Sequence, residues 1–111
     1  MENKLVIHLN EESKWGMMFS NVSNFIKEVK DEAYQLHIVI NGPAVSGVLN
    51  QQILDLINEY ESNMVVFKVC NNSLIGRNIS RTQVQSNIVI VETSVFEIMK
   101  LQQQGFAYLK L

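Results

Sequence analysis

The sequence predicts an α/β fold, a three-layer α/β/α sandwich around a five-stranded, mainly parallel sheet. Three observations predict it. Short apolar, β-branched runs recur five times along the chain. Most of the stretches between them return apolar residues at helical spacing. The connections are also long enough to carry the chain back to the starting edge, as parallel pairing requires.

The first run, Lys4 to Leu9 (KLVIHL), suits a strand covered on both faces. Asn10 to Ser13 is polar and acidic, a helix start. Trp15, Met18, Phe19, Val22, Phe25, Ile26 and Val29 then fall at i, i+3, i+4, i+7 spacing, giving an amphipathic helix that ends near Lys30-Asp31. Lys14, Ser20, Asn24 and Lys27 occupy its outer face.

Leu36 to Ile40 (LHIVI) is the second strand, stopped by Asn41-Gly42-Pro43. Proline cannot continue a ladder and suits the first turn of a helix. Val45, Val48, Leu49, Ile53, Leu56, Ile57 and Tyr60 form the next helical stripe, in which Gly47 permits close packing. Met64 to Val69 (MVVFKV) is the third strand and delivers the only cysteine, Cys70.

Asn71 to Ser86 is polar and irregular, read as a short helix, a break at Gly76 and a second short helix capped by Ser80-Arg81-Thr82-Gln83. Ile88 to Val91 is the fourth strand. Ser94-Val95-Phe96-Glu97 reads as a capping box for a helix burying Val95, Ile98 and Met99. Gly105 closes that helix, and Phe106 to Leu111 (FAYLKL) makes a last strand whose weak alternation suits a sheet edge.

At 111 residues, 47% hydrophobic and 18% charged, the chain has the balance of one globular domain spanning residues 1–111. No repeat, low-complexity tract or linker divides it. A net charge of −2 gives no electrostatic case for nucleic acid or for a membrane surface. The opening Met1-Glu2-Asn3-Lys4 lacks a signal-peptide pattern, and no apolar run reaches membrane-spanning length. One cysteine makes no internal disulfide, so the expected location is the cytoplasm.

Ligands of open parallel sheets bind beyond the carboxyl ends of the strands. Those loops are Asn10-Glu11-Glu12, Asn41-Gly42-Pro43, Cys70-Asn71-Asn72-Ser73 and Glu92-Thr93. Cys70 is the most reactive group among them. A thiol becomes useful when a helix N-terminus or a cation lowers its pKa, and the following helix with Arg77 could supply both. The competing reading is a buried cysteine that packs as a small hydrophobe. No second cysteine lies at redox-motif spacing, which excludes thioredoxin-type chemistry.

His8 sits near the exit of the first strand, within reach of the same loops or satisfied by a hydrogen bond in the core; His37 lies at the far end of its strand. Glu11 and Glu12 beside His8 imitate a metal cluster, but carboxylates at a helix start follow from the dipole alone, so no metal site is assigned. Trp15 reads as core packing ahead of ligand stacking. Met18, Met64 and Met99 read as core filler, with Met17 off the stripe and available to an interface. There is no glycine-rich phosphate loop and no Gly-x-Ser-x-Gly elbow, and the third strand ends in cysteine instead of a phospho-accepting aspartate. No cofactor is expected.

Several stretches resemble the DsrE/DsrF-like family, in particular its short, stand-alone members. They are VIHLNEESKW at Val6–Trp15, VINGPAV at Val39–Val45, FKVCNNSLIGRNIS at Phe67–Ser80 and VFEIMKLQQQGFAYLKL at Val95–Leu111. The resemblance covers nearly the whole chain. It implies that Cys70 accepts sulfur as a persulfide, with Arg77 matching a basic residue common several positions later. Where some relatives carry a second cysteine, this chain has Ser73, which leaves no resolving thiol. The resemblance also implies homo-oligomers.

The leading functional expectation is a cysteine-dependent sulfur carrier or transferase. Cys70 would be its nucleophile and Arg77 its stabilising cation, with Asn10, Asn41, Asn72 and Ser73 as polar groups of the ligand-binding site. Its partners would be other copies of the chain and a sulfur-donor or acceptor protein. The alternatives are a non-catalytic module binding a small ligand and a purely structural oligomer subunit.

Overall fold

Residues 2–111 are described by a computed structural model; Met1, with which the N-terminal reading begins, lies outside them. Five strands form one all-parallel sheet: β1 (Asn3–Leu9), β2 (Tyr34–Ile40), β3 (Val65–Cys70), β4 (Val89–Val91) and β5 (Ala107–Lys110). Their order across the sheet is β4-β3-β2-β1-β5. The chain steps outward from β1 to β4, then crosses back to place β5 on the other side of β1. The last strand therefore lies at an edge, as its weak alternation predicts.

Four helices connect them: α1 (Trp15–Val29), α2 (Gln51–Glu61), α3 (Asn71–Gly76) and α4 (Ser94–Gln103). The two faces of the sheet follow from the period-two alternation of side chains. On one, Ile7, Leu9, Leu36, Ile38, Ile40, Val65, Phe67 and Val69 pack against Trp15, Met18, Phe19 and Val22 of α1, Ile57 of α2 and Leu74 of α3. On the other, Val6 and Val39 meet Leu101 of α4 and Phe106. That second face is covered by α4 alone among the four helices. No helix among the described residues is long and apolar enough to cross a membrane.

The expected single helix after β2 is instead two pieces. Gly42–Leu49 is a 3₁₀ segment, Asn50 is extended, and α2 begins beyond it with the Asn50 side chain accepting a hydrogen bond from Ile53 N at 3.2 Å. Asparagine favours this local bond over continuing a helix, and so it restarts the chain in a new direction. Gly47 does allow close packing: an added Cβ would stand 2.4 Å from Trp15 ring atoms. Trp15 is core, with Nε1 donating to Ala44 O at 3.0 Å.

Met64 and Met99 are not core filler. Met64 is 78% exposed at the turn into β3, and Met99 is 41% exposed. The face assigned to the last helix is also turned. Thr93, not Ser94, is the N-cap of α4, its hydroxyl accepting from Phe96 N at 3.2 Å. Val95 points outward, whereas Ser94 and Glu97 are buried. The sheet beneath explains the inversion, because it presents polar groups there. Lys68 of β3 donates to Glu97 in a pair that is largely shielded from solvent, and Cys70 of β3 meets Ser94.

Candidate functional site

The strand order brings the exits of β1, β2, β3 and β4 side by side. Asn41 N donates to Leu9 O at 3.0 Å, Ala44 N to Asn10 O at 3.0 Å, and Asn72 N to Glu92 O at 3.4 Å. Cys70 pairs in register with Val91, so the chain leaving β4 passes directly beside the thiol.

Cys70 is 4% exposed, yet its surroundings are polar. Ser94 N, at the first residue of the ten-residue α4, donates to Cys70 Sγ at 3.4 Å. A helix N-terminus holds unpaired N–H groups and a positive dipole end, both of which favour a thiolate. Burial pushes the thiol pKa up, but the hydroxyl and backbone amide of Ser73, and those of Ser94, outweigh it and leave the pKa below its usual value. The sulfur is covered without being enclosed in hydrocarbon.

Ser73 also braces the neighbouring loop, its Oγ accepting from Gly42 N at 2.8 Å. Gly42 has φ +56 and lies so close to Asn10 that a Cβ would stand 2.4 Å from Asn10 Nδ2. Only glycine meets both demands at low cost.

Beside the sulfur runs a chain of side-chain hydrogen bonds. Asn41 Nδ2 donates to Ser94 Oγ at 2.9 Å. Asn41 Oδ1 accepts from Asn10 Nδ2 at 3.0 Å and lies 2.9 Å from His8 Nε2. His8 Nδ1 lies 2.7 Å from the Tyr108 hydroxyl of β5. The His8 pKa is lowered, chiefly by burial and further by Lys110, against a raising contribution from Asn41.

Of the residues expected from sequence, Cys70, Ser73, Asn41 and Asn10 thus come together, joined by His8. Two do not join them. Asn72 is exposed, and its side chain takes no part in the hydrogen bonds around the sulfur. Arg77 is exposed at the end of α3, and the groups that lower the Cys70 pKa are Ser73 and Ser94, not this guanidinium. Two helix starts act on the sulfur: Ser94 N at the start of α4 bonds it directly, and Ser73 in the first turn of α3, the helix that follows Cys70 in sequence, lowers its pKa through both amide and hydroxyl.

The arginine at the strand exits is Arg81. It donates from Nε to Asn71 Oδ1 at 3.2 Å and pairs with Glu92 at 2.5 Å, tying the start of α3 to the exit of β4. A cleft of about 440 Å³ opens on the α4 side, lined by Val91, Glu92, Thr93, Phe96, Glu97 and Lys100. Sequence reasoning passed over Ser94 and Tyr108 as site residues. Ser94 stood in the capping motif, and Tyr108 would have emerged only once β5 was known to lie beside β1. No group of three or more His, Cys, Asp or Glu residues able to hold a metal occurs among the described residues.

The model of the DsrE/DsrF-like family matches residues 5–111. No curated protein matches the chain. Among solved structures, the chain is similar to the protein of unknown function MTH1491 from Methanobacterium thermoautotrophicum. The two share 20% identity and a TM-score of 0.84, over 99% of this chain and 98% of that one. It is also similar to the ychN protein from E. coli, at 21% identity and a TM-score of 0.72, over 98% of this chain and 99% of that one. At such identities these likenesses show the fold.

Proposed function

The chain belongs to the DsrE/DsrF-like family, a family linked to sulfur relay, and from that premise we propose that it carries sulfur as a persulfide on Cys70. The observation that carries the reading is the contact of Cys70 Sγ with Ser94 N at the start of α4, among the strand exits where ligands of parallel sheets bind. A thiolate stabilised there is the attacking form of the thiol and is also a good leaving group.

The step is an exchange at sulfur. The Cys70 thiolate attacks the outer sulfur of a donor protein's persulfide. A new S–S bond forms at Cys70, the donor's S–S bond breaks, and the donor leaves as its thiolate. Delivery reverses the roles: an acceptor nucleophile takes the outer sulfur and Cys70 departs as thiolate. No electrons are gained or lost overall, and one cysteine suffices. The polar cover of Ser73 and Ser94 suits both the thiolate and the anionic persulfide, and burial slows hydrolysis or loss of the bound sulfur. Thiol chemistry of this kind fits the reducing cytoplasm.

The experiment is intact-protein mass spectrometry after incubation with cysteine and a cysteine desulfurase. The reading expects the mass of one added sulfur atom, absent in Cys70→Ser and removed by reductant. No added sulfur, or addition that survives Cys70→Ser, overturns it and favours a binding module in which Cys70 merely packs.

A second observation favours self-association as part of the same reading. The outer side of α4 presents Val95 at 77% exposure, Phe96 at 59% and Met99 at 41%. Contiguous apolar surface of this kind marks an interaction site. Phe96 also lines the cleft beside β4, so copies meeting there would help cover that cleft.

A further inference from the structure

The hydrogen bonds behind Cys70 run in one direction, set by the orientation of the Asn41 amide, whose Oδ1 faces His8 and Asn10 and whose Nδ2 faces Ser94. Asn41 Oδ1 accepts from Asn10 Nδ2, so its partner His8 Nε2 must also donate to it. A neutral histidine that donates from Nε2 accepts at Nδ1, which makes the Tyr108 hydroxyl the donor there. The Asn41 amide is thereby held with its N–H₂ toward Ser94, where Nδ2 donates to Oγ. With that lone pair occupied, Ser94 keeps its single hydroxyl proton for another acceptor. The Cys70 sulfur, which already accepts from Ser94 N, stands beside it.

We propose that Asn41 is a positioning residue: oriented by His8 and Asn10, its amide keeps the Ser94 hydroxyl proton directed at the Cys70 sulfur. Each link from Tyr108 to Ser94 then donates toward the thiol end, so the chain favours an anion there and disfavours a protonated sulfur. The inference rests on the reading of Cys70 as the working thiol and adds what holds it ready. An asparagine at this place does what an aspartate cannot. Aspartate would accept from His8 and from Asn10 equally well but would also draw the Ser94 hydroxyl to itself, away from sulfur.

The test is a double-mutant cycle on the full chain, read as the pH midpoint of Cys70 alkylation by iodoacetamide. The four proteins are wild type, Asn41→Asp, Ser94→Ala and the double variant, each checked for folding by thermal melting. The charged groups around the chain are Lys110, facing His8, Glu92 paired with Arg81 at the exit of β4, and Glu97 of α4 paired with Lys68 of β3 and Lys100; all are constant across the cycle. The expected result is a midpoint raised by about one pH unit by Asn41→Asp when Ser94 is present, the loss of one hydrogen bond to a charged group. In the Ser94→Ala background the rise shrinks to the smaller effect of the added charge. Equal rises in both backgrounds, or none in either, overturn the proposal.

Asn41→Ala provides an uncharged second arm. It is expected to raise the midpoint when Ser94 is present and to leave it unchanged in Ser94→Ala; no rise in either background again overturns the proposal. Sulfur uptake by mass spectrometry keeps the two readings apart. Uptake with uncoupled midpoints removes only the positioning role, and coupled midpoints without uptake remove only the persulfide reading.

Discussion

Ser94 N donates to Cys70 Sγ at 3.4 Å, joining the first residue of α4 to the last residue of β3 across 24 positions of sequence. Ser94 acts on the sulfur through both its amide and its hydroxyl. The two contributions can be separated. Thr93 has φ −139 and ψ 140, a conformation compatible with a following proline, and proline is tolerated at the first position of a helix. Ser94→Pro is therefore expected to retain α4 while removing both N–H and hydroxyl. The pH midpoint of Cys70 alkylation should rise in the order wild type, Ser94→Ala, Ser94→Pro. The second step reports the N–H and should be about one pH unit or less.

His37 has its pKa lowered to about 4, mainly by burial and then by Lys68, with Glu97 opposing. Its Nδ1 is buried without a hydrogen-bond partner. The unfolded chain, with its histidine near 6.5, binds more protons than the folded chain between those two values. Stability is thus complete above about pH 6.5 and is lost as pH falls toward 4. Urea unfolding should show a loss of up to about 2 kcal/mol between about pH 7 and about pH 5 from His37. His8, also lowered, contributes in the same direction. In His37→Leu the loss should shrink to the His8 part.

Gly47 lies under the Trp15 indole, with room for no side chain. Gly47→Ala is expected to destabilise the chain by about 1–3 kcal/mol, the range for overpacking a core, measured by urea unfolding. Because Trp15 Nε1 also donates to Ala44 O, the shifted ring should change its fluorescence in the folded state.

The outward residues of α4 predict an assembly. Sedimentation of the wild-type chain should give a multiple of the 12.7 kDa chain mass. Phe96→Glu, a change at an exposed position, should move it toward the single-chain mass with little loss of chain stability.

Much of this architecture is legible in the sequence because most elements advertise one period. β1, β2 and β3 are β-branched runs of ordinary length, and the stripe from Trp15 to Val29 repeats at helical spacing with its buried side correctly placed. The reading fails on α4 for a physical reason. Periodicity assumes that apolar residues face inward, but the sheet under α4 presents Lys68 and Cys70, which call Glu97 and Ser94 inward and leave Val95 and Met99 outside.

The site shows the same division. Cys70, Ser73, Asn10 and Asn41 are found by asking what lies at strand exits. Ser94 and Tyr108 depend on β4 lying beside β3 and β5 beside β1, and strand order is set by long-range packing that no local pattern encodes. Arg77 follows Cys70 closely in sequence and matches a basic residue of the family, but neither signal says where its side chain lies. A helix of six residues ends with it in solvent, away from the groups that tune the thiol.

The proposed function requires Cys70 to be a thiolate held ready by Ser73 and Ser94. The pH dependence of iodoacetamide labelling of the native, wild-type chain tests it most directly. Complete labelling without denaturant is expected, with a midpoint below the value of about 8.5 for a free cysteine. A midpoint at or above that value, or labelling that occurs only after unfolding, would contradict it.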